Sequence, residues 1–164
     1  MKNYRSPIGK QDFHPDTCNY FQGRTVCVPG GSGFIGSHIV EHLLALQAFP
    51  IIPTRQSQPP FLSHLDGEIE VRRADLASLD QAREAIKGAS VVLNLAASVG
   101  GVSYNSAHPA TVFHANMKTF LNVMDAVEHC GAERLLVTSS ACIYPRYCTV
   151  PTPESEGFTD LPEP

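Results

Sequence analysis

Gly30, Gly33 and Gly36 recur at every third position of Pro29-Gly30-Gly31-Ser32-Gly33-Phe34-Ile35-Gly36, and Gly31, Gly33 and Gly36 also fit G-x-G-x-x-G. A turn of this kind folds tightly and lets its backbone approach a pyrophosphate with no Cβ atom in the way. A helix opening behind it offers unpaired N–H groups and the positive end of its dipole to the phosphates. Glycines cluster in turns, so the setting carries the weight. Thr25-Val26-Cys27-Val28 reads as a buried strand before the turn, and a helical apolar stripe comes after it. The backbone of Gly30, Gly33, Phe34, Ile35 and Gly36 is therefore the expected cradle for a dinucleotide; the alternative is a plain glycine-rich turn.

The second chemical signal lies downstream of the cradle. An NAD site of this design places an acidic residue about 20 positions past the glycines, on the ribose hydroxyls. No Asp or Glu lies between Glu41 and Asp66, and Thr54-Arg55 stands where the acid would be. A guanidinium there suits a 2′-phosphate, which it meets with charge and a bidentate fork. The expectation is NADP(H), with NAD(H) the other option; a solvated surface arginine is the alternative for Arg55.

His38-Ile39-Val40-Glu41-His42 fits H-x-x-E-H, a zinc-peptidase pattern. The helix that carries it must lay one side on a sheet and aim its start at phosphate, and no third ligand stands downstream. An exposed helix face is the expected reading, with no metal. Cys18, Cys27, Cys130, Cys142 and Cys148 are odd in number and form no C-x-x-C pair. Neither a disulfide framework nor a structural zinc site is expected, and most of the five are expected to be small buried hydrophobes.

The elements that must position these residues alternate regularly. Apolar spacing predicts a helix over Phe34 to Gln47, a strand over Pro50 to Thr54 weakened by its two prolines, and a short strand at Ile69-Glu70-Val71. A helix from Leu79 to Lys87 comes next, then the strand Val91 to Leu95, a long helix from Thr111 to Cys130 and a fifth strand from Arg134 to Ser139. Strands alternating with helices imply a doubly wound α/β fold of Rossmann type, its parallel sheet covered on both faces and its first strand central. Residues 1–22 read as an extended leader, 23–145 as the dinucleotide-binding domain and 146–164 as a Pro-rich tail.

With this order in place the chain resembles the extended short-chain dehydrogenases, the NAD(P)-dependent sugar epimerases and dehydratases. The resemblance rests on Pro29-Gly30-Gly31-Ser32-Gly33-Phe34-Ile35-Gly36-Ser37-His38, Ala74-Asp75-Leu76, Asn94-Leu95-Ala96-Ala97 and Val137 to Pro145, and covers about residues 23–160. It implies that Asp75 and Leu76 border the adenine and that Ala96 and Ala97 lie against the cofactor; close backbone packing would also explain the alanines. It implies that Ser140 is the catalytic Ser/Thr beside a Tyr-x-x-x-Lys pair. Ser98-Val99-Gly100-Gly101, with Pro109-Ala110 and Asn116-Met117, and the cysteine of Ser140-Ala141-Cys142-Ile143-Tyr144-Pro145 resemble a narrower group, the GDP-L-fucose synthases and GDP-mannose 3,5-epimerases. There the cysteine moves a proton at a sugar carbon next to a carbonyl. That implies Cys142 as an acid/base group, Gly100 and Gly101 on the substrate side, and a nucleotide-sugar, preferably a GDP-sugar, as substrate. A thiol pKa of about 8.5 suits such work, while a packed cysteine is the alternative.

Two departures stand out. Pro29 replaces the family's usual threonine, and the sequence reaches Pro164 before any Tyr-x-x-x-Lys. The acid tyrosine, its lysine and the substrate domain are thus expected to be missing from these residues. Three readings remain open: a segment of an NADP(H)-dependent nucleotide-sugar epimerase or reductase, a non-catalytic NAD(P)-binding regulatory module, or an inactive truncated product. The 164 residues carry a formal charge of −4 and no basic patch, which argues against a nucleic-acid or membrane-surface partner. No apolar run approaches the ~20 residues of a membrane span, and a cytoplasmic protein is expected. In the long helix Phe113, Met117, Phe120, Leu121, Met124 and Val127 make an apolar stripe, widened by Val112, Ala115, Val123 and Ala126 beyond what one sheet face needs. A homodimer, or a completing chain, is expected to use the 111–130 helix.

Overall fold

A computed structural model describes residues 8–57 and 59–159. Five parallel strands form one sheet in the order β3-β2-β1-β4-β5: β1 (Thr25–Cys27), β2 (Phe49–Thr54), β3 (Glu70–Arg73), β4 (Val91–Asn94) and β5 (Arg134–Val137). The first strand is central, as expected for a doubly wound fold. Helix α1 (Pro15–Phe21) precedes the sheet. The strands are then joined by α2 (Phe34–Ala45), a 3-10 turn (Pro60–Leu65), α3 (Leu79–Ile86), α4 (Gly101–Ala107) and α5 (Pro109–Cys130).

Side-chain alternation divides the core into two layers. Cys27, Ile51 and Val92 meet Ala82, Ala85 and Ile86 of α3 and Val123 and Ala126 of α5. Val26, Val28 and Ile52 face the other way, onto Val40 and Leu43 of α2 and Leu62 and Leu65 of the 3-10 turn. Period-2 alternation on a sheet covered from both sides makes every residue of β1 apolar or β-branched.

The prolines of β2 sit where the ladder does not need them. Phe49 donates its N–H to the Arg24 carbonyl and Ile51 accepts from Val28, each at 2.8 Å, so odd-numbered residues serve β1. The Thr54 carbonyl accepts from Ala74 at 2.9 Å, so even-numbered residues serve β3. Pro50 faces β3 before that strand begins to pair, at Ile51 with Glu70. Pro53 faces β1 beyond its end, where the Val28 carbonyl already accepts from Gly31 at 2.8 Å.

The expectation of an extended leader needs correction over its described part. Pro15 starts α1 at a position where a missing N–H costs nothing, and His14 Nδ1 accepts from the Asp16 N–H at 3.3 Å. The Tyr20 ring is then held between two guanidinium groups, Arg24 at 4.5 Å and Arg134 at 5.1 Å, while Arg24 bonds Glu133 at 2.7 Å. A seven-residue helix is too short to stand alone; these contacts with the amino ends of the strands hold it. Residues 1–7, 58 and 160–164 lie outside the described residues, so that part of the leader and of the tail is not assigned. The described tail holds turns and a 3-10 turn at Glu154–Glu156.

Helix α5 starts at Pro109, two residues before the predicted Thr111, and ends at Gly131 in the left-handed conformation, φ 69°. Its apolar residues sort into two sets. Val123 and Ala126 are buried and Val127 packs beside them, whereas Phe113, Met117, Leu121 and Met124 are exposed. Strand β5 is an edge with Leu136 and Val137 exposed. Among the described residues no helix is long and apolar enough to cross a membrane.

Candidate cofactor and substrate site

The candidate residues gather at the carboxyl ends of the strands, where the winding reverses between β1 and β4; ligands of open α/β sheets bind at such a point. The glycine turn leaves β1 here. Gly30 has φ +84°, and a Cβ on it would come within 2.6 Å of the Leu95 backbone, so the turn lies flat against the end of β4. Leu95 donates to the Pro29 carbonyl at 2.8 Å and ties the two together. A Cβ on Gly36 would collide with the Gly30 carbonyl oxygen, so α2 packs directly on the turn. Gly33 differs: its Cβ position has only the Gly30 oxygen near it, at 3.3 Å, and opens outward.

Gly33 is also the N-cap of α2, with no side-chain cap and no acid in the first turn. The first α2 amide with an acceptor is Ser37, bonded to the Gly33 carbonyl at 2.9 Å; the N–H groups of Phe34, Ile35 and Gly36 have none among the described residues. An open Cβ position beside free amides at a positive helix end fits a dinucleotide pyrophosphate.

Arg55 comes directly after β2, exposed and without a hydrogen bond or ion pair among the described residues. Asp75 lies just past β3, and its Oδ1 accepts from the Ala77 N–H at 3.0 Å, fixing the carboxylate at the turn into α3. Leu76 is buried beneath it. Ala96 is half-buried, its N–H donating to buried Asn94 Oδ1 at 3.2 Å, while Ala97 is exposed.

On the substrate side the loop after β4 is pinned by Asn116 of α5, a residue the sequence marked only through its part in the family resemblance. Asn116 accepts from the Ser98 N–H at 2.6 Å and donates to the Ser98 carbonyl at 3.0 Å, copying a backbone ladder with one amide. No local sequence pattern signals this role, because the path of the loop backbone that Asn116 satisfies is set by the fold. The Tyr104 ring occupies the space a Gly100 Cβ would need, and Gly101 has φ +79°.

Past β5, Ser139, Ser140 and Cys142 are exposed. An extended run would turn the Ser140 and Cys142 side chains the same way, but Ala141–Ile143 is a 3-10 turn. Ser140 Oγ accepts the Cys142 N–H at 3.1 Å and its carbonyl accepts from Ile143 at 3.2 Å, so a serine cap curls the chain here. Cys18 and Cys27 are buried and Cys130 and Cys148 half-buried; the accessible thiol is Cys142. Burial pushes the Cys27 thiol up to about 12.

The H-x-x-E-H side chains go to three separate partners. His38 stacks edge-on with Phe34, His42 with Phe13, and Glu41 bonds His64 at 2.6 Å.

A doubly wound sheet with a glycine turn at its switch point is a Rossmann-type fold. The chain belongs to the NAD dependent epimerase/dehydratase family, which it matches over residues 26–163. It is 34% identical over 144 residues to "Probable GDP-L-fucose synthase 1" of Oryza sativa subsp. japonica, covering 87% of this chain and 40% of that protein. "GDP-mannose 3,5-epimerase 1" of the same organism is 28% identical over 125 residues, covering 74% and 32%. Among solved structures, "MoeE5 in complex with UDP-glucuronic acid and NAD" superposes with a TM-score of 0.67 at 29% identity, over 85% of this chain and 43% of that one. The chain spans less than half the length of these proteins.

Proposed function

We propose that this chain is the NADP(H)-binding part of a nucleotide-sugar epimerase or reductase acting on a GDP-sugar, by 3,5-epimerisation, 4-keto reduction or both. The observation that carries the reading is the common edge shared by the glycine cradle, the pinned Ser98–Gly101 loop and the Ser140–Cys142 turn. Gly30, Gly33, Phe34, Ile35 and Gly36 hold the pyrophosphate, Asp75 and Leu76 border the adenine, and Ala96 and Ala97 flank the cofactor. A bound nicotinamide supplies hydride chemistry. Gly100 and Gly101 take the substrate, Ser140 hydrogen-bonds its reacting oxygen, and Cys142 exchanges a proton at the carbon next to the carbonyl. Similarity to GDP-sugar enzymes and the exposed Cys142 thiol support this assignment.

Arg55 directs the choice of cofactor toward NADP(H). Losing a charge-assisted phosphate contact costs about 1.5–3 kcal/mol, so Arg55→Ala should bring NADPH affinity down toward that for NADH. Calorimetric titration of both nucleotides tests it; an unchanged NADPH/NADH ratio removes Arg55 from the site. The exposed row Phe113, Met117, Leu121 and Met124 supports pairing through α5, with a second copy or a completing chain.

A further inference from the structure

We propose that Asn122 of α5 is a positioning residue for the adenine: its side-chain amide holds the Leu76 carbonyl and so keeps the Asp75–Leu76 turn in the shape that receives the purine. This rests on the cofactor reading above.

The turn after β3 is held in two ways. Asp75 donates its N–H to Gln81 Oε1 at 2.9 Å, its Oδ1 accepts from the Ala77 N–H, and its carbonyl accepts from Ser78 at 3.0 Å. These bonds are local. They join the turn to the helix it starts, α3, and would travel with that helix if it moved. The remaining bond comes from elsewhere: Asn122 Nδ2 donates to the Leu76 carbonyl at 3.0 Å, across 46 residues of sequence. Among the described residues no other hydrogen bond ties residues 75–78 to α5. The Leu76 side chain is seated in the core cluster that includes Val123, the residue after Asn122. Apolar burial is non-directional, so it fixes the depth of the turn, while the hydrogen bond fixes the orientation of its peptide plane.

The same helix holds the other ligand loop. Asn116 bonds Ser98 through both ends of its amide. Six residues of helix separate the two asparagines, about 9 Å, so one rigid element carries the tether of the adenine turn and that of the substrate loop. Asparagine is a weak helix former because its amide competes for backbone groups. In α5 both amides are spent on backbone outside the helix. The Leu76 carbonyl takes only a donor, so an aspartate of the same shape cannot replace Asn122.

The test is calorimetric titration of the 164-residue chain with NADPH and NADH, unmodified and as Asn122→Leu, Asn122→Asp and Asn122→Gln, each well below its thermal midpoint. The first two variants keep nearly the size of the side chain without the donor, and the third keeps the donor on a longer stem. Asn122→Leu and Asn122→Asp should weaken both nucleotides by the same factor, about three- to tenfold for one lost hydrogen bond. The NADPH/NADH ratio should hold, since adenine is common to both, and Asn122→Gln should recover part of the loss. Arg24→Ala controls for stability alone: it removes the Glu133 bond at the amino end of the strands and should lower the midpoint without changing either affinity. If Asn122→Leu and Asn122→Asp bind like the unmodified chain, or lose no more than Arg24→Ala, the proposal fails while the cofactor reading stands. A changed NADPH/NADH ratio, or no recovery in Asn122→Gln, also overturns it. An unmodified chain that binds neither nucleotide overturns the cofactor reading itself.

Discussion

Gly33 and Gly36 are three residues apart, yet an added methyl would have opposite consequences at the two. At Gly36 it meets the Gly30 carbonyl in a packed turn; overpacking of this kind costs about 1–3 kcal/mol or more, so Gly36→Ala should lower the thermal midpoint whether or not cofactor is present. At Gly33 the methyl points outward at φ −86°, which alanine tolerates. Gly33→Ala should cost about 1 kcal/mol or less as a changed N-cap, yet weaken NADPH binding about tenfold or more if the pyrophosphate lies there. Denaturation and titration on the same samples separate the two. The thiols divide in a similar way. Cys142 should react with an alkylating reagent under native conditions, and Cys27 only as fast as the chain unfolds. Because folding raises the Cys27 pKa to about 12, its stabilising contribution is whole below the unfolded value and declines as pH rises from about 9 toward 12, on the order of 1 kcal/mol per unit. Cys27→Ala should be less stable at neutral pH and lose less on going alkaline. At this scale the glycines were legible because their spacing is their mechanism. The part Asn116 plays was not, because it satisfies a loop backbone whose path no local pattern reveals.

Among the elements, the strands could be read to within about two residues, and the exceptions have physical causes. Strand β2 looked doubtful for Pro50 and Pro53, a doubt that only the pairing register removes. Helices α1 and α4 are seven residues each and carry no apolar stripe, so they owe their shape to tertiary contacts and to Pro109 opening the next helix. Helix α3 ends on an unusual support: Arg72, reaching across from β3, donates to the Ala85 and Lys87 carbonyls at its carboxyl end. Hydrogen bonds from a charged donor contribute about 1.5–3 kcal/mol. Arg72 is a quarter exposed, so Arg72→Ala is expected to cost near the lower figure. Urea denaturation would read this, and Arg72→Lys should recover only part, since a single ammonium nitrogen cannot hold Glu70, as Nε does, while also reaching the carbonyls that Nη1 bonds.

At the scale of the whole molecule, the outward row on α5 and the exposed Leu136 and Val137 of edge strand β5 form apolar surface among the described residues. Sedimentation of the unmodified chain should show self-association, and Met117→Glu with Leu121→Glu should reduce it; a strictly monomeric species at high concentration would exclude the α5 surface as an interface. The 164 residues contain no Tyr-x-x-x-Lys. General acid–base catalysis contributes about 10²–10⁴-fold, so the isolated chain should turn over no nucleotide-sugar above background, and robust turnover would require another catalytic acid.

The strand order also sets a timetable for synthesis. β1 is made first but lies in the middle of the sheet, and its second neighbour is β4. Arg24 meets Glu133 across 109 residues, and the Tyr20 ring waits for Arg134 as well. At roughly 5–20 residues per second, a nascent chain carries Val26, Cys27 and Val28 with one flank unpaired for on the order of ten seconds. Over that interval the apolar central strand stays open to contact with other chains. Slow translation before residue 134 should lower the yield of native protein more than the same delay placed after it.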